Sequence, residues 1–263
     1  TKVPNGGERF CSEWRANADR LEACGLYDPA EEHDACGVGL VAAIDGKPRR
    51  AVVESAINAL KCIWHRGAVD ADGKTGDGAG LHVQIPQDFF KEHVRRMGHE
   101  PRDGRLAIGM VFLPRIDLVA QERCRCIVEA EILNFGYRIH GWRQVPINVT
   151  VIGEKANATR PEIEQIIIYN SRGVSDRLFE RDLYIIRRRI EKAVLQENIK
   201  EFYICSLSCR SVIYKGMFLA EQLTAFYPDL VDERFVSNFA IYHQRYSTNT
   251  FPTWHLAQPF RVI

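Results

Sequence analysis

The distribution of apolar residues along the chain predicts short strands mixed with helices. Strand-like segments, in which apolar residues form a run or alternate with polar ones, lie at 36–44, 81–85, 105–113, 137–151, 163–169, 202–207, 211–214 and 239–247. The segment at 137–151 consists of pieces broken at Gly141 and Pro146. Apolar residues recur three and four positions apart, as in an amphipathic helix, at 48–66, 87–97, 118–133, 177–196 and 219–226. No alternation of strand and helix typical of a parallel sheet is visible, so the pattern favours a single α+β domain.

In two of these predicted helices, the apolar residues indicate which face packs against the core. The first helix should bury Val53, Ala56, Ile57, Leu60 and Trp64. The helix at 177–196 should bury Leu178, Ile185, Ile186, Ile190 and Val194. Residues 1–35 are polar and weakly periodic, which indicates a leader with one short helix rather than a part of the domain.

Composition excludes several classes of protein. The net charge of +1 gives no reason to expect binding to nucleic acid or to a membrane surface. No stretch approaches the ~18 apolar residues of a membrane span, and residues 1–35 lack the apolar run of a secretory signal. We therefore expect a cytoplasmic, reduced protein.

The 8 cysteines suggest neither a disulfide framework nor a metal site. Cys124 and Cys126, and likewise Cys205 and Cys209, do not have the spacing of a zinc ribbon. The first pair lies in a helical pattern and the second in a strand-like segment. All four are predicted to be core residues, and no metal site is expected.

The sequence Cys36-Gly37-Val38-Gly39 places a cysteine at the start of a glycine-rich strand. The glycines would leave the sulfur open to a substrate carbonyl, which suits a nucleophile. The alternative is that Cys36 is a small core residue and that the glycines allow close strand packing.

The sequence Trp64-His65-Arg66-Gly67 closes the first predicted helix. Basic side chains there interact favourably with the negative end of the helix dipole, so a simple capping role is possible. The alternative is that Arg66 belongs to a functional site.

Residues 67–80 form a long, glycine-rich loop. Gly73, Lys74 and Thr75 resemble part of a phosphate-binding loop, but the preceding glycine is misplaced and no helix follows. A loop of this length is often a lid over a site. Its candidate functional residues are Gly73, Thr75, Gly76, Asp77 and Gly78.

The segment 243–250, with the sequence His-Gln-Arg-Tyr-Ser-Thr-Asn-Thr, carries an arginine among hydroxyl and amide groups at the end of a predicted strand. The planar guanidinium of Arg245 could bind a small carboxylate through two hydrogen bonds. An ordinary polar strand end is the alternative.

Together these motifs resemble the glutaminase domain of glutamate synthases, which are type 2 glutamine amidotransferases. The resemblance covers residues 36–263 and rests on Cys-Gly-Val-Gly, His-Arg-Gly-Ala, Thr-Gly-Asp-Gly-Ala-Gly and His-Gln-Arg-Tyr-Ser-Thr-Asn-Thr-Phe-Pro. It implies an N-terminal-nucleophile (Ntn) hydrolase fold, with two stacked antiparallel sheets between helical layers (αββα).

The resemblance also implies a mechanism and its residues. Cys36 would attack the side-chain amide of glutamine, with its own α-amino group as base, and form a γ-glutamyl thioester. Arg245 would bind the α-carboxylate of glutamine, Thr248 would line the pocket, and Arg66 would hold the surroundings of the nucleophile. The loop at 67–80 would respond to the synthase half of the enzyme.

Family members remove a leader before the cysteine, so residues 1–35 are expected to be a propeptide and the sequence as written a proenzyme. The oxyanion-hole residues of the family come after residue 263, so the domain at 36–263 is expected to be incomplete and weakly active. FMN, an iron–sulfur cluster, the synthase domains and a small NADPH-oxidising subunit are implied outside this segment. Within it no cofactor is expected.

Three other functions remain open at this point. The chain could be a different type 2 amidotransferase, or a cysteine peptidase that uses His65 or His243 to activate Cys36. It could also be a non-catalytic regulatory domain in which Cys36 is buried.

Overall fold

The computed structural model describes residues 6–25, 36–247 and 250–261, and it divides the chain into one unit at Thr1–Ala35 and another at Cys36–Ile263. The first unit contains helix α1 (Gly6–Cys24), which is longer than the short helix predicted there. Every other element belongs to the second unit. None of the helices in the described ranges is long and apolar enough to cross a membrane.

The second unit contains two four-stranded antiparallel sheets. In spatial order, the first sheet consists of β1 (Gly37–Ala42), β8 (Phe239–Gln244), β2 (Ala79–Gln84) and β7 (Ser211–Gly216). The second sheet consists of β4 (Arg138–Gln144), β5 (Glu162–Tyr169), β3 (Leu106–Leu113) and β6 (Tyr203–Ser208). The sheets pack against each other, with contacts from β7 to β3 and β6.

Six α-helices belong to the described part of this unit. They are α2 (Arg50–Cys62), α3 (Gln87–Arg96), α4 (Leu118–Asn134), α5 (Glu154–Ala158), α6 (Asp176–Gln196) and α7 (Leu223–Phe226). Helix α2 packs on β1 and β8, while α4 and α6 pack on the second sheet. The four-layer α+β architecture implied by the resemblance is therefore confirmed.

A buried polar network joins the two sheets. The Arg143 guanidinium donates to both carboxylate oxygens of Asp229, at 2.8 and 2.7 Å, and to Gln165 at 2.8 Å. The hydroxyl of Tyr214 donates to Asp229 at 2.8 Å and accepts from Gln165 at 2.9 Å. Both buried charges thus have several hydrogen-bond partners. Without such partners, the cost of removing a charge from water would not be offset.

The segment 253–260 is fastened to the edge of the first sheet by Lys215 of β7. Its buried Nζ donates to the carbonyls of His255 and Ala257 at 2.9 and 2.7 Å and lies over the rings of Tyr203 and Phe260. Burial lowers the pKa of Lys215 to about 8. The lysine therefore anchors this segment with a cation that is nearly excluded from water.

Several local predictions are wrong. Trp64 is 64% exposed because α2 ends at Cys62 and Trp64 lies in the 3₁₀ turn that follows. Ile185 is 37% exposed, because the buried face of α6 passes through Leu183 and Ile186 instead. Cys126 is exposed, whereas the other three cysteines predicted to be buried are buried. The breaks predicted at Gly141 and Pro146 agree with the structure, because the pairing of β4 shifts register between Ile139 and Gly141 and the strand ends at Gln144.

Candidate functional site

The thiol of Cys36 lies at the surface, next to the end of β8. Cys36 precedes β1, which pairs antiparallel with β8 so that Gly37 lies opposite Gln244. Its Sγ lies 3.7 Å from the carbonyl oxygen of Tyr246 and 3.5 Å from the nitrogen of the same residue. Cys36 is exposed, which contradicts its interpretation as a core residue.

The glycines after Cys36 allow close packing of the strand on its neighbours. A Cβ at Gly37 would lie 2.5 Å from Cδ1 of Ile63 and 3.1 Å from Cβ of Arg66. The strand that follows Cys36 therefore rests directly on the turn after α2. This contact brings Arg66 beside the cysteine, although the guanidinium is exposed and has no hydrogen bond to another residue in the described ranges.

Arg245 follows β8 and is the buried cation of the site. It is 9% exposed. Its backbone N–H donates to the carbonyl of Gly78 at 2.8 Å, and Nη2 of its guanidinium donates to Oγ1 of Thr250 at 2.6 Å. Its Nη1 is buried and finds no acceptor within the part of the chain that the structure describes. A buried guanidinium with a free donor is suited to bind an anion.

Asp77 connects the long loop to the same segment. It is 8% exposed, and its Oδ2 accepts the N–H of Ser247 at 2.6 Å. Burial raises the pKa of this carboxyl, while the Ser247 N–H and the charge of Arg245 act in the opposite direction. The loop thereby contacts the chain at Ser247, two residues after Arg245.

The tip of the loop at 67–80 is fixed by its own hydrogen bonds. Asp72 accepts the N–H of Thr75 at 2.7 Å and its hydroxyl at 2.6 Å, and the N–H of Ala156 donates to Thr75 Oγ1 at 3.2 Å. These bonds hold the pKa of Asp72 well below its usual range. The carboxylate thus occupies donors that a phosphate would need, which agrees with the exclusion of a phosphate-binding loop.

The glycines of the loop have different roles. Gly73 has φ +69° at the tip, in a turn closed by its N–H to the carbonyl of Asp70 at 2.9 Å. A Cβ at Gly76 would lie 2.6 Å from the carbonyl carbon of Phe218, and Gly78 has φ +135°. Residues 75–80 are buried and 71–74 are exposed, so the lid interpretation is limited to the tip.

The histidines proposed to activate Cys36 are placed differently from a catalytic pair. Among the described residues, the hydrogen-bond contacts of Cys36 Sγ are to Tyr246 alone. His65 is exposed and has its ring against Trp64. Burial, aided by Arg245, lowers the pKa of His243 to about 4, so this histidine is neutral near pH 7. The geometry therefore gives no support to the peptidase alternative.

One site prediction is not addressed by the geometry, and one residue was missed. Thr248 lies outside the described residues, as does Asn249. No group of three or more possible metal ligands occurs in the described ranges. The sequence interpretation missed Asp72, whose position three residues before Thr75 was an available signal for a side chain that caps a turn.

Comparisons with known proteins agree with this geometry. The family model described as "Glutamine amidotransferases class-II" matches residues 36–263. The chain is 73% identical over 259 residues to the glutamate synthase [NADPH] large chain of Azospirillum brasilense, covering 98% of this chain and 17% of that protein. It is 43% identical to the ferredoxin-dependent glutamate synthase 1 of Arabidopsis thaliana (94% and 15% covered) and 42% identical to the Bacillus subtilis glutamate synthase [NADPH] large chain (92% and 16%). The chain thus spans about a sixth of the length of these relatives.

Proposed function

The chain belongs to the class-II glutamine amidotransferases, and we propose that residues 36–263 perform the glutamine half-reaction of a glutamate synthase. In this reaction glutamine is bound, its side-chain amide is cleaved, and ammonia and glutamate are released. The similarity to glutamate synthase large chains supports this assignment over another amidotransferase of the same class.

The observation that carries the proposal is the Nη1 of Arg245, which has no partner among the described residues and belongs to the residue next to the one that contacts an exposed thiol. Arg245 and Tyr246 are consecutive, and Tyr246 contacts Sγ of Cys36. An amino-acid carboxylate bound at Arg245 would satisfy the buried donor. The side chain of the same ligand could then reach Cys36, as a glutamine amide must.

The proposed chemistry needs no second catalytic side chain. With a free α-amino group, Cys36 transfers its thiol proton to that amine, and the sulfur attacks the amide carbon of glutamine. A C–S bond forms, the C–N bond breaks, and the ammonium returns the proton to the departing ammonia. Water then cleaves the thioester, which gives glutamate and restores the thiol.

The free amine requires cleavage of the Ala35–Cys36 bond, because an amide nitrogen is not a base at neutral pH. We therefore propose that residues 1–35 are a propeptide and that the domain proper begins at Cys36. The separation of 1–35 and 36–263 into two units supports this division.

The relatives' names indicate where the ammonia would be used. They are named for NADPH or ferredoxin as electron donor, which supports FMN and iron–sulfur chemistry in synthase domains beyond residue 263. There, ammonia would combine with 2-oxoglutarate. A small NADPH-oxidising subunit and a cytoplasmic location belong to the same proposal.

The proposal is tested with a diazoketone analogue of glutamine on the full-length protein whose chain begins at Cys36. We expect one adduct, on Cys36, that glutamine prevents, and none in C36A. Arg245→Lys should raise the half-saturating concentration about 10²-fold, because lysine lacks the planar pair of donors. The control Arg105→Lys alters an exposed ion pair with Asp176 and should change nothing.

The remaining outcomes each count against the proposal. Equal labelling with residues 1–35 still attached would show that the free amine is not the base and would favour a peptidase. The absence of any glutamine-protected adduct would favour a non-catalytic domain.

We also propose that the tip of the loop at 67–80 responds to the synthase half. Gly76 and Gly78 are poor positions for testing this, because a side chain there would disturb packing. Lys74 is exposed. Lys74→Ala should lower the yield of glutamate per glutamine consumed without changing the KM for glutamine. An equal loss of glutaminase activity measured without 2-oxoglutarate would contradict the idea.

A further inference from the structure

A single peptide group lies between Asp77 and Cys36. Its nitrogen, from Ser247, donates to Oδ2 of Asp77 at 2.6 Å, and its oxygen, from Tyr246, lies 3.7 Å from Sγ of Cys36. The bond between the two residues is trans. Because a trans peptide is planar, with its N–H and C=O pointing in opposite directions, a partner that fixes the N–H also fixes the direction of the carbonyl.

The contacts of the preceding residues show that this arrangement continues the first sheet. In an extended chain, successive residues direct their N–H and C=O groups to opposite sides. The N–H of Arg245 donates to the carbonyl of Gly78 at 2.8 Å, on the side of β2. The N–H of Tyr246 approaches Sγ of Cys36 at 3.5 Å, on the side of β1. The N–H of Ser247 turns back towards the loop and binds Asp77.

A side chain is needed at this point because the backbone pairing between β2 and β8 has ended. The last pair in the register is Ala79 with Gln244. Beyond it, Gly78 supplies one more carbonyl, but Gly78 has φ +135° and the chain turns away. The carboxylate of Asp77 takes the place of the next carbonyl acceptor. The carboxylate thereby gives the N–H of Ser247 an acceptor one position beyond the end of the backbone pairing, on the side of the strand away from Cys36.

We propose that Asp77 is a positioning residue that holds Cys36 in its reactive place through the Tyr246–Ser247 peptide group. This inference rests on the proposed glutaminase function. Asp77 does not touch the sulfur and acts only through the backbone. The charged groups that act on its buried carboxyl are Arg245 at the end of β8, Lys155 of α5 and Asp70 of the loop.

The test separates loss of the acceptor from loss of the charge. Asp77→Asn keeps a carbonyl oxygen that can accept the Ser247 N–H, whereas Asp77→Ala removes it. In the full-length protein beginning at Cys36, Asp77→Ala should slow the maximal rate of labelling by the diazoketone analogue about 10- to 100-fold. The half-saturating concentration should change less than about threefold, because Arg245 keeps its own bond to Gly78. Asp77→Asn should stay within about threefold of the parent in both quantities.

Asp117 offers a matched control, since it also accepts one backbone N–H, from Ala120 at 2.9 Å, but at the start of α4. Asp117→Ala should destabilise the fold to a similar extent in urea without slowing the labelling of Cys36. Should Asp77→Ala fail to fold, Asp77→Ser replaces it, because its hydroxyl is too short to make the 2.6 Å contact.

The outcomes distinguish this inference from the proposed function. If the parent protein shows no glutamine-protected labelling, the proposed function has failed. If the parent is labelled and Asp77→Ala reacts equally fast, only the positioning role is wrong. An equal loss in Asp77→Asn and Asp77→Ala would assign the effect to the charge instead of the hydrogen bond. An equal loss in Asp117→Ala would assign it to stability.

Discussion

The two sheets differ in how completely they are buried. In the second sheet, every residue of β3 is buried, and α4 and α6 cover the outer face. In the first sheet, β1 is an edge strand that exposes Val38 and Leu40. Eight buried polar side-chain atoms of the described residues have no hydrogen bond, and five of them lie on or beside β2 and β8, in His82, Asn238, His243, Gln244 and Arg245. Two others lie with the second sheet, in His140 of β4 and Glu131 of α4.

This difference indicates a division of labour. The second sheet is the more completely buried of the two, so its strands contribute more to stability through apolar burial. The first sheet carries most of the unpaired buried polar atoms among the described residues and has an exposed thiol at its edge. Such groups cost stability when no ligand is present, as is common at functional sites. Mutations in the two sheets should therefore affect different measurements.

The largest effect on stability is expected where the sheets meet. Asp229→Ala leaves the Arg143 guanidinium buried without its carboxylate and should lower the free energy of unfolding by about 3–5 kcal/mol. Urea denaturation measures this change. The control is Asp232→Ala, which removes a more exposed ion pair with Arg234 and should cost less than about 1 kcal/mol. Equal losses in the two variants would show that the network does not join the sheets energetically.

A direct comparison of the sheets uses one apolar residue from each. Ile166→Ala in β5 should cost about 2–5 kcal/mol, because the side chain is fully buried and leaves a cavity. Leu40→Ala in β1 should cost less than about 0.5 kcal/mol in this chain, since Leu40 is exposed. A loss at Leu40 comparable to that at Ile166 would remove the distinction.

The acid sensitivity of the first sheet should be smaller but specific. The pKa of His243 is lowered to about 4 by burial, so between pH 6.5 and 4 the unfolded chain binds the proton more readily, and stability falls as the pH falls. His243→Gln should recover about 1–2 kcal/mol of the loss at pH 4.5, after allowance for its partial exposure. The rest of the acid loss remains, in part because the pKa of His93 is also lowered to about 4.

Urea midpoints at pH 7 and 4.5 test this expectation. The exposed His65 provides the control, because His65→Gln should leave the difference between the two midpoints unchanged. A His243→Gln protein with the same acid loss as its parent would show that this histidine is not kept neutral by the fold.

The sequence predicts helix α6 better than it predicts the buried face of that helix. Ile186, Ile190 and Val194 are buried as expected. Ile185 and Ile186 are consecutive and about 100° apart on a helix. The buried stripe of α6 passes through Asp182, Leu183, Ile186 and Arg187 and leaves Ile185 at its margin. Periodicity alone did not decide which of the two isoleucines lies in this stripe, because Asp182 is also buried on this helix, where it accepts hydrogen bonds from Tyr137 and Arg172.

The sequence proposes which residues form the candidate site but not how they come together. The motifs identify Cys36 and Arg245, which are far apart in the chain and are brought together by the pairing of β1 with β8. The role of Asp77 depends on where β2 begins. The sequence predicted that start at residue 81, whereas the strand begins at Ala79. Contacts of this kind come from the register of distant strands, which local patterns do not contain.

The anchoring of the segment 253–260 by Lys215 has a consequence for local opening. When the segment detaches, the Nζ that was bound to the carbonyls of His255 and Ala257 becomes hydrated and recovers the ordinary affinity of lysine for a proton. With a pKa of about 8 in the closed state, each opening between pH 8 and 10.5 takes up a proton. This proton uptake favours opening, and the contribution becomes smaller as the pH rises through this range. Hydrogen exchange, corrected for its intrinsic base catalysis, should therefore show that the segment opens less often in alkaline solution. The closed state of the segment is thus stabilised as the pH rises.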